Sequence, residues 1–223
     1  MENMNVDLKK EQEATLSRRR LEYGSVAKIL FWSLDLIYGK ETTLPKVRLL
    51  EILARIPYQA WETRQYTKLT TRYGNEGLVT ESKDIIRWGR EAQDNEFWHL
   101  RTIEDRMKQL NIRENWFWTY FASRVAAFKY SLFSKGLAFF NIRAAFHLNA
   151  QFEDHAEHTY MQYVKDNPSL DQEKVTSSIA QETRTFESWG DVFRRIALDE
   201  RDHMNDSLKH LGMNDQVAPY FGS

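Results

Sequence analysis

Two stretches decide how this chain is read: DNEFWHL, Asp94–Leu100, and LDERDHM, Leu198–Met204. Each sets a glutamate three residues ahead of a histidine, Glu96 with His99 and Glu200 with His203. On an α-helix, side chains three apart share a face. A Glu-x-x-His pair can therefore direct a carboxylate and an imidazole to one point. The chain has six histidines in 223 residues, so two such pairs account for a third of them.

Working outward, the rest of the chain fits an all-α protein. Glycine and proline are scarce, at 9 and 4 residues. The periodicity predicts a helix over 24–39, closed by Gly39, and a second from Pro45 to about Gly74, with Pro57 expected to kink it. A third is expected over 81–110 and a fourth from the aromatic segment to about Val164, with a break near Asn141. The final helix is expected over 189–211, ending at Gly212. A short helix is expected within 173–187, and NPSLDQ reads as a loop. Residues 1–22 read as a solvated arm, 23–212 as the functional domain and 213–223 as a tail. Four long helices plus accessory ones, including one at the N-terminal side, form the pattern of a four-helix bundle.

Composition excludes several chemistries. There is no cysteine, so disulfides, thiolate metal sites and cysteine nucleophiles are ruled out. Any metal must be held by Glu, Asp and His. The formal net charge is −1, which gives no electrostatic case for nucleic-acid binding. No apolar run is long enough to span a bilayer. The segment from Glu114 to Leu148 is instead rich in aromatics and broken by Arg124, Lys129, Lys135 and Arg143 at helical intervals. Aromatics beside Lys and Arg suit a helix lying in a membrane interface, which makes a membrane surface an expected partner.

Ferritin-like di-iron proteins build their centre from two Glu-x-x-His helices and two helices with a lone inward Glu. Candidates for the lone acids are Glu51, set among Leu49, Leu50, Ile52 and Leu53, and Glu153, with Asp154 and Glu157 as close competitors. An acid in such apolar company costs several kcal/mol to bury without a partner or metal. Carboxylate and imidazole ligands suit iron, manganese or zinc, and iron is the preferred reading because an iron pair can pass electrons to O2.

At these residues the chain resembles a known family. LEILARIPY at 50–58, NEFWHL at 95–100, HLNAQFEDHAEHTYMQYV at 147–164 and LDERDH at 198–203 are similar, in order and spacing, to the signature elements of the membrane-bound alternative oxidases. The likeness is to their plastid terminal oxidase branch and covers about residues 24 to 212. The resemblance implies a ferritin-like four-helix bundle attached to one membrane face without crossing it. It implies two Fe ions held by Glu51, Glu96, His99, Glu153, Glu200 and His203, choosing Glu153 over Glu157. It places Tyr160 beside the metals as an electron and proton relay, and Asn95 and Asp199 as partners that orient the histidines. It implies a quinol pocket lined by Lys46 or Arg48, Leu50, His155 and Thr159. His155 departs from the acid of the broader family and agrees with the plastid branch.

The function so implied is oxidation of membrane plastoquinol or ubiquinol to quinone, coupled to reduction of O2 to water without proton pumping. A homodimer on the cytoplasmic or stromal membrane face is expected. Two alternatives remain open: a di-iron quinone-ring hydroxylase with the same ligands, and a non-enzymatic metal-binding helical protein of the membrane surface.

Overall fold

A computed structural model of the chain describes residues 6–221. Among them the secondary structure is helical, with seven α-helices: α1 Leu8–Ser17, α2 Ser25–Tyr38, α3 Leu44–Leu69, α4 Glu76–Gln109, α5 Ser123–Phe140, α6 Ile142–Asp166 and α7 Trp189–Leu211. A π-helical stretch, Phe117–Ala122, leads into α5. None of these helices is long and apolar enough to cross a membrane.

Local chemistry explains the boundaries. The Asn75 side chain accepts a hydrogen bond from the Leu78 backbone N–H at 3.0 Å and caps α4. Arg106 and Lys108 face the negative end of the same helix dipole. Ser188 caps α7 by accepting from Asp191 N–H at 3.1 Å, and Gly212 ends it in the left-handed region at φ 76°. The expected break at Asn141 is present. Its backbone leaves the helical region, and its side chain accepts from Ala144 N–H at 3.0 Å, so one residue stops α5 and starts α6. Helix α3 continues through Pro57.

Two expectations change. Residues 8–17 are not a solvated arm: they form α1, capped by Asp7, with Glu11, Gln12 and Thr15 buried. Residues 173–187 hold no helix; they run through turns, and Lys174 forms an isolated antiparallel bridge with Ser188. Polar side chains there favour local turn hydrogen bonds, such as Ser177 Oγ accepting from Ala180 N–H at 3.0 Å, over helix continuation.

The chain divides into two compact units. One comprises residues 44–146, with α3, α4, α5 and the first residues of α6. Its core is aromatic: Trp61 lies 4.9 Å from Tyr58, 4.8 Å from Trp88 and 4.7 Å from Phe146 between ring centroids. Helices α3 and α4 approach closely at Gly89, where a Cβ would sit 3.3 Å from the Tyr58 carbonyl oxygen. The other unit comprises residues 1–43 and 147–223, with α1, α2, the rest of α6 and α7. There Phe193 packs on Tyr160, Tyr163 and Trp189, while Ala150, Met204, Leu208 and Ala218 form a second apolar cluster. The residues after α7 are tied in, because Asn205 exchanges two hydrogen bonds of 2.8 Å with the Ala218 backbone.

Candidate functional site

Each unit contains a helix pair that carries one lone glutamate and one Glu-x-x-His. In the unit of residues 44–146 the lone acid is Glu51 on α3 and the pair is Glu96 and His99 on α4. The three are buried, with His99 and Glu96 fully inaccessible. Nδ1 of His99 lies 3.3 Å from Glu51 Oε2 and 3.6 Å from Glu96 Oε2. The close α3–α4 approach at Gly89 brings the Glu51 turn within reach of the His99 turn.

In the other unit the lone acid is Glu153 on α6 and the pair is Glu200 and His203 on α7. All three are buried, and each offers a donor atom within 4.8 Å of the other two. His203 Nδ1 stands 3.4 Å from Glu200 Oε2. Buried carboxylates at this density are costly unless a cation or a proton compensates them. A donor set of carboxylate oxygens and imidazole nitrogens fits a hard or intermediate metal ion such as iron, manganese or zinc. Each triad thus fits a metal by donor chemistry and spacing.

The residues expected to support the ligands are distributed differently. Asp199 accepts from Arg195 Nη2 at 2.5 Å, and Arg195 also reaches Asp202 at 3.3 Å. Burial opposes the charge on Arg195, but Asp199 and Asp202 hold its guanidinium above the ordinary range. Asn95 is half-buried on α4. Tyr160 is fully buried, its ring stacked on Phe193 at 6.2 Å.

Among the quinol candidates, Arg48 is engaged by two carboxylates, Glu104 at 2.5 Å and Glu114 at 2.9 Å. Lys46 and Leu50 are buried on the same helix. The imidazole of His155 stacks on Phe31 of α2 at 3.8 Å, and its Nδ1 lies 3.4 Å from Arg20 Nη1. Thr159 donates to the His155 carbonyl at 2.7 Å.

Sequence reasoning missed two features. The first is Thr102, one turn beyond His99 on α4 and fully buried. Helical threonines such as Thr63, Thr67, Thr80 and Thr159 donate to the carbonyl four residues back, whereas the Thr102 hydroxyl has no hydrogen-bond partner among the described residues. The signal was present as a continued three-residue spacing, Glu96, His99, Thr102.

The second feature is an ionic network behind the α6–α7 triad. Arg201 donates to Glu157 Oε1 at 2.9 Å, to Glu11 Oε2 at 2.5 Å and to Thr15 Oγ1 at 2.7 Å. Arg18 bridges Asp154 at 2.8 Å and Glu157 at 2.7 Å. Tyr23 donates to Asp154 at 2.7 Å, and burial, with the adjacent Asp154 charge, pushes its phenol above the ordinary range. Burial opposes the Arg201 charge, yet Glu157 and Glu11 hold its guanidinium above the usual value. No signal in the local sequence announced this network, since its members come from distant parts of the chain.

No protein-family model matches the chain, and no curated protein matches it.

Proposed function

We propose that this protein is a di-iron quinol oxidase of the alternative oxidase type, acting at a membrane surface. The observation that carries the reading is the duplicated triad. Glu51 with Glu96 and His99, and Glu153 with Glu200 and His203, repeat one donor set on two helix pairs, and all six side chains are buried. In this reading the six residues together hold two iron ions, which would supply electron transfer between quinol and O2. The resemblance of the four sequence elements to the plastid terminal oxidase branch supports the choice of iron, of quinol and of a homodimer.

The protein's own groups have separable tasks. Two quinols each give up two electrons and two protons and leave as quinone, while one O2 takes up the four electrons and four protons as two waters. Tyr160, shielded from solvent against Phe193, offers a phenol O–H as a local source of an electron and a proton. The basic candidates for the quinol contact are Lys46 and Arg48, on the same helix as Leu50, and Arg48 is also paired with Glu104 and Glu114. The resemblance adds His155 and Thr159 of α6 to the quinol candidates. Burial of the acids keeps water from competing for the metals and strengthens each ligand's electrostatic contribution. Asp199, anchored by Arg195, steadies the turn of α7 that presents Glu200 and His203.

The test is quinol-dependent oxygen uptake by membranes containing the iron-loaded protein. Uptake that disappears in Glu200→Ala, without mass gain in the quinone product, supports the oxidase. A hydroxylated product replaces it with the hydroxylase reading.

A further inference from the structure

The π-helical stretch and α5 carry a face whose charge is one-sided. Between Glu114 and Glu153 the sequence holds no acidic residue, while Arg124, Lys129 and Lys135 all stand exposed on α5. Phe128, Leu132 and Phe139 lie along one line of the helix, at spacings of four and seven residues, and are 65%, 58% and 62% exposed. Arg124 and Lys135, three turns apart, flank that line on one side, and Lys129 flanks it on the other. At the N-terminal end Trp116, Tyr120, Phe121, Val125 and Phe128 surround a cavity of about 370 Å³ with Arg124 and Lys129 at its rim.

Such a face needs an occupant that is apolar in the middle and negative at the edges. A second copy paired about a two-fold axis would oppose this face to itself and set cations against cations. Lysine and arginine stems can lie along the apolar band while their heads reach outward. We infer that this face binds anionic phospholipid in particular, with a lipid phosphate held between Arg124 and Lys129 and acyl chain packed on the aromatic floor. The inference rests on the membrane-surface part of the proposed function and specifies the lipid class that the surface requires. Each basic residue at an anionic surface strengthens binding roughly five-fold.

The experiment is co-sedimentation of the full-length protein with vesicles of phosphatidylcholine alone and of phosphatidylcholine mixed with phosphatidylglycerol, at low and high salt. The variant combines Arg124→Gln, Lys129→Gln and Lys135→Gln, all exposed positions, and a second variant, Phe128→Ser with Leu132→Ser, removes the apolar band. The inference expects tighter binding to the anionic vesicles, weakened by salt. It expects a loss on the order of a hundred-fold there in the triple variant, with binding to phosphatidylcholine little changed. The serine variant is expected to weaken binding to both compositions. Equal binding of the wild type to both vesicles, indifferent to the triple variant, overturns the lipid-class inference and leaves the membrane reading standing. No binding to either vesicle overturns both.

Discussion

Helices α6 and α7 each present two neighbouring charged faces with different surroundings. Glu153 and Glu200, with His203, form one cluster. Asp154, the residue after Glu153, and Arg201, the residue after Glu200, belong to another, with Glu157 and His158. A step of one residue turns a helix by about 100°, so consecutive residues face different neighbours. By donor type and proximity, Asp154, Glu157 and His158 could also hold a cation, their ligand atoms lying within 4.8 Å of one another. Yet Arg18 and Arg201 already supply the positive charge there, Thr15 and Tyr23 donate to the carboxylates, and His158 Nδ1 lies 2.8 Å from the Asp154 carbonyl oxygen. The same residue types therefore make a metal-ready cluster on one face and an ionic latch on the next. The composition of a cluster does not decide which it is; the cations brought to it by the fold do.

The largest effect that can break this contrast is on metal content. Glu96→Ala and Glu200→Ala are expected to lose bound iron and to lower quinol-dependent oxygen uptake more than about a hundred-fold, since even outer partners of a metal ligand cost 10–100-fold. Asp154→Asn and His158→Ala are expected to keep the wild-type iron content by elemental analysis. Iron loss in the latter pair would show that the latch is itself a ligand site.

The next effect is on stability. Arg201→Ala leaves Glu11 and Glu157 buried without their shared cation, at a cost of about 3–5 kcal/mol. For a chain of this size that lowers the melting temperature by roughly 6–20 °C. Replacing Glu11, Glu157 and Arg201 together with apolar residues of similar volume is expected to recover most of the loss, which calorimetry would detect.

A smaller effect separates Thr102 from the other helical threonines. Thr102→Val removes a buried hydroxyl that has no hydrogen-bond partner among the described residues, so thermal stability should be unchanged or rise by up to about 1 kcal/mol. A fall in stability comparable to that in Thr15→Val would place a partner on that hydroxyl.

The smallest effect is a pH dependence. Arg194, donating to Asp171 at 2.6 Å, holds that carboxyl below its ordinary value of 3.8. The folded-state value lies below the unfolded one, so this contribution is present above about 3.8 and is lost as pH falls through the lower folded value. The acid limb of the stability curve should therefore be shallower in Asp171→Asn, and an unchanged limb would assign the slope to other carboxylates.

What could be read from sequence was local. Helices α2, α3, α4 and α7 follow from periodicity, and Asn75, Asn141, Ser188 and Gly212 set boundaries by bonds to residues within a few positions. The Glu-x-x-His pairs were legible for the same reason, since three-residue spacing on a helix is fixed geometry. Other features required the tertiary structure. The first residues look solvated by composition, yet Glu11 reaches an arginine 190 positions away and becomes buried with it. Residues 173–187 have the polarity of a short helix, but their backbone and side chains are occupied in turns and by the bridge to Ser188. Periodicity states which side chains share a face of one helix. It cannot state which cation, from another part of the chain, will meet that face, and that meeting distinguishes the latch on Asp154 and Glu157 from the triad on Glu153, Glu200 and His203.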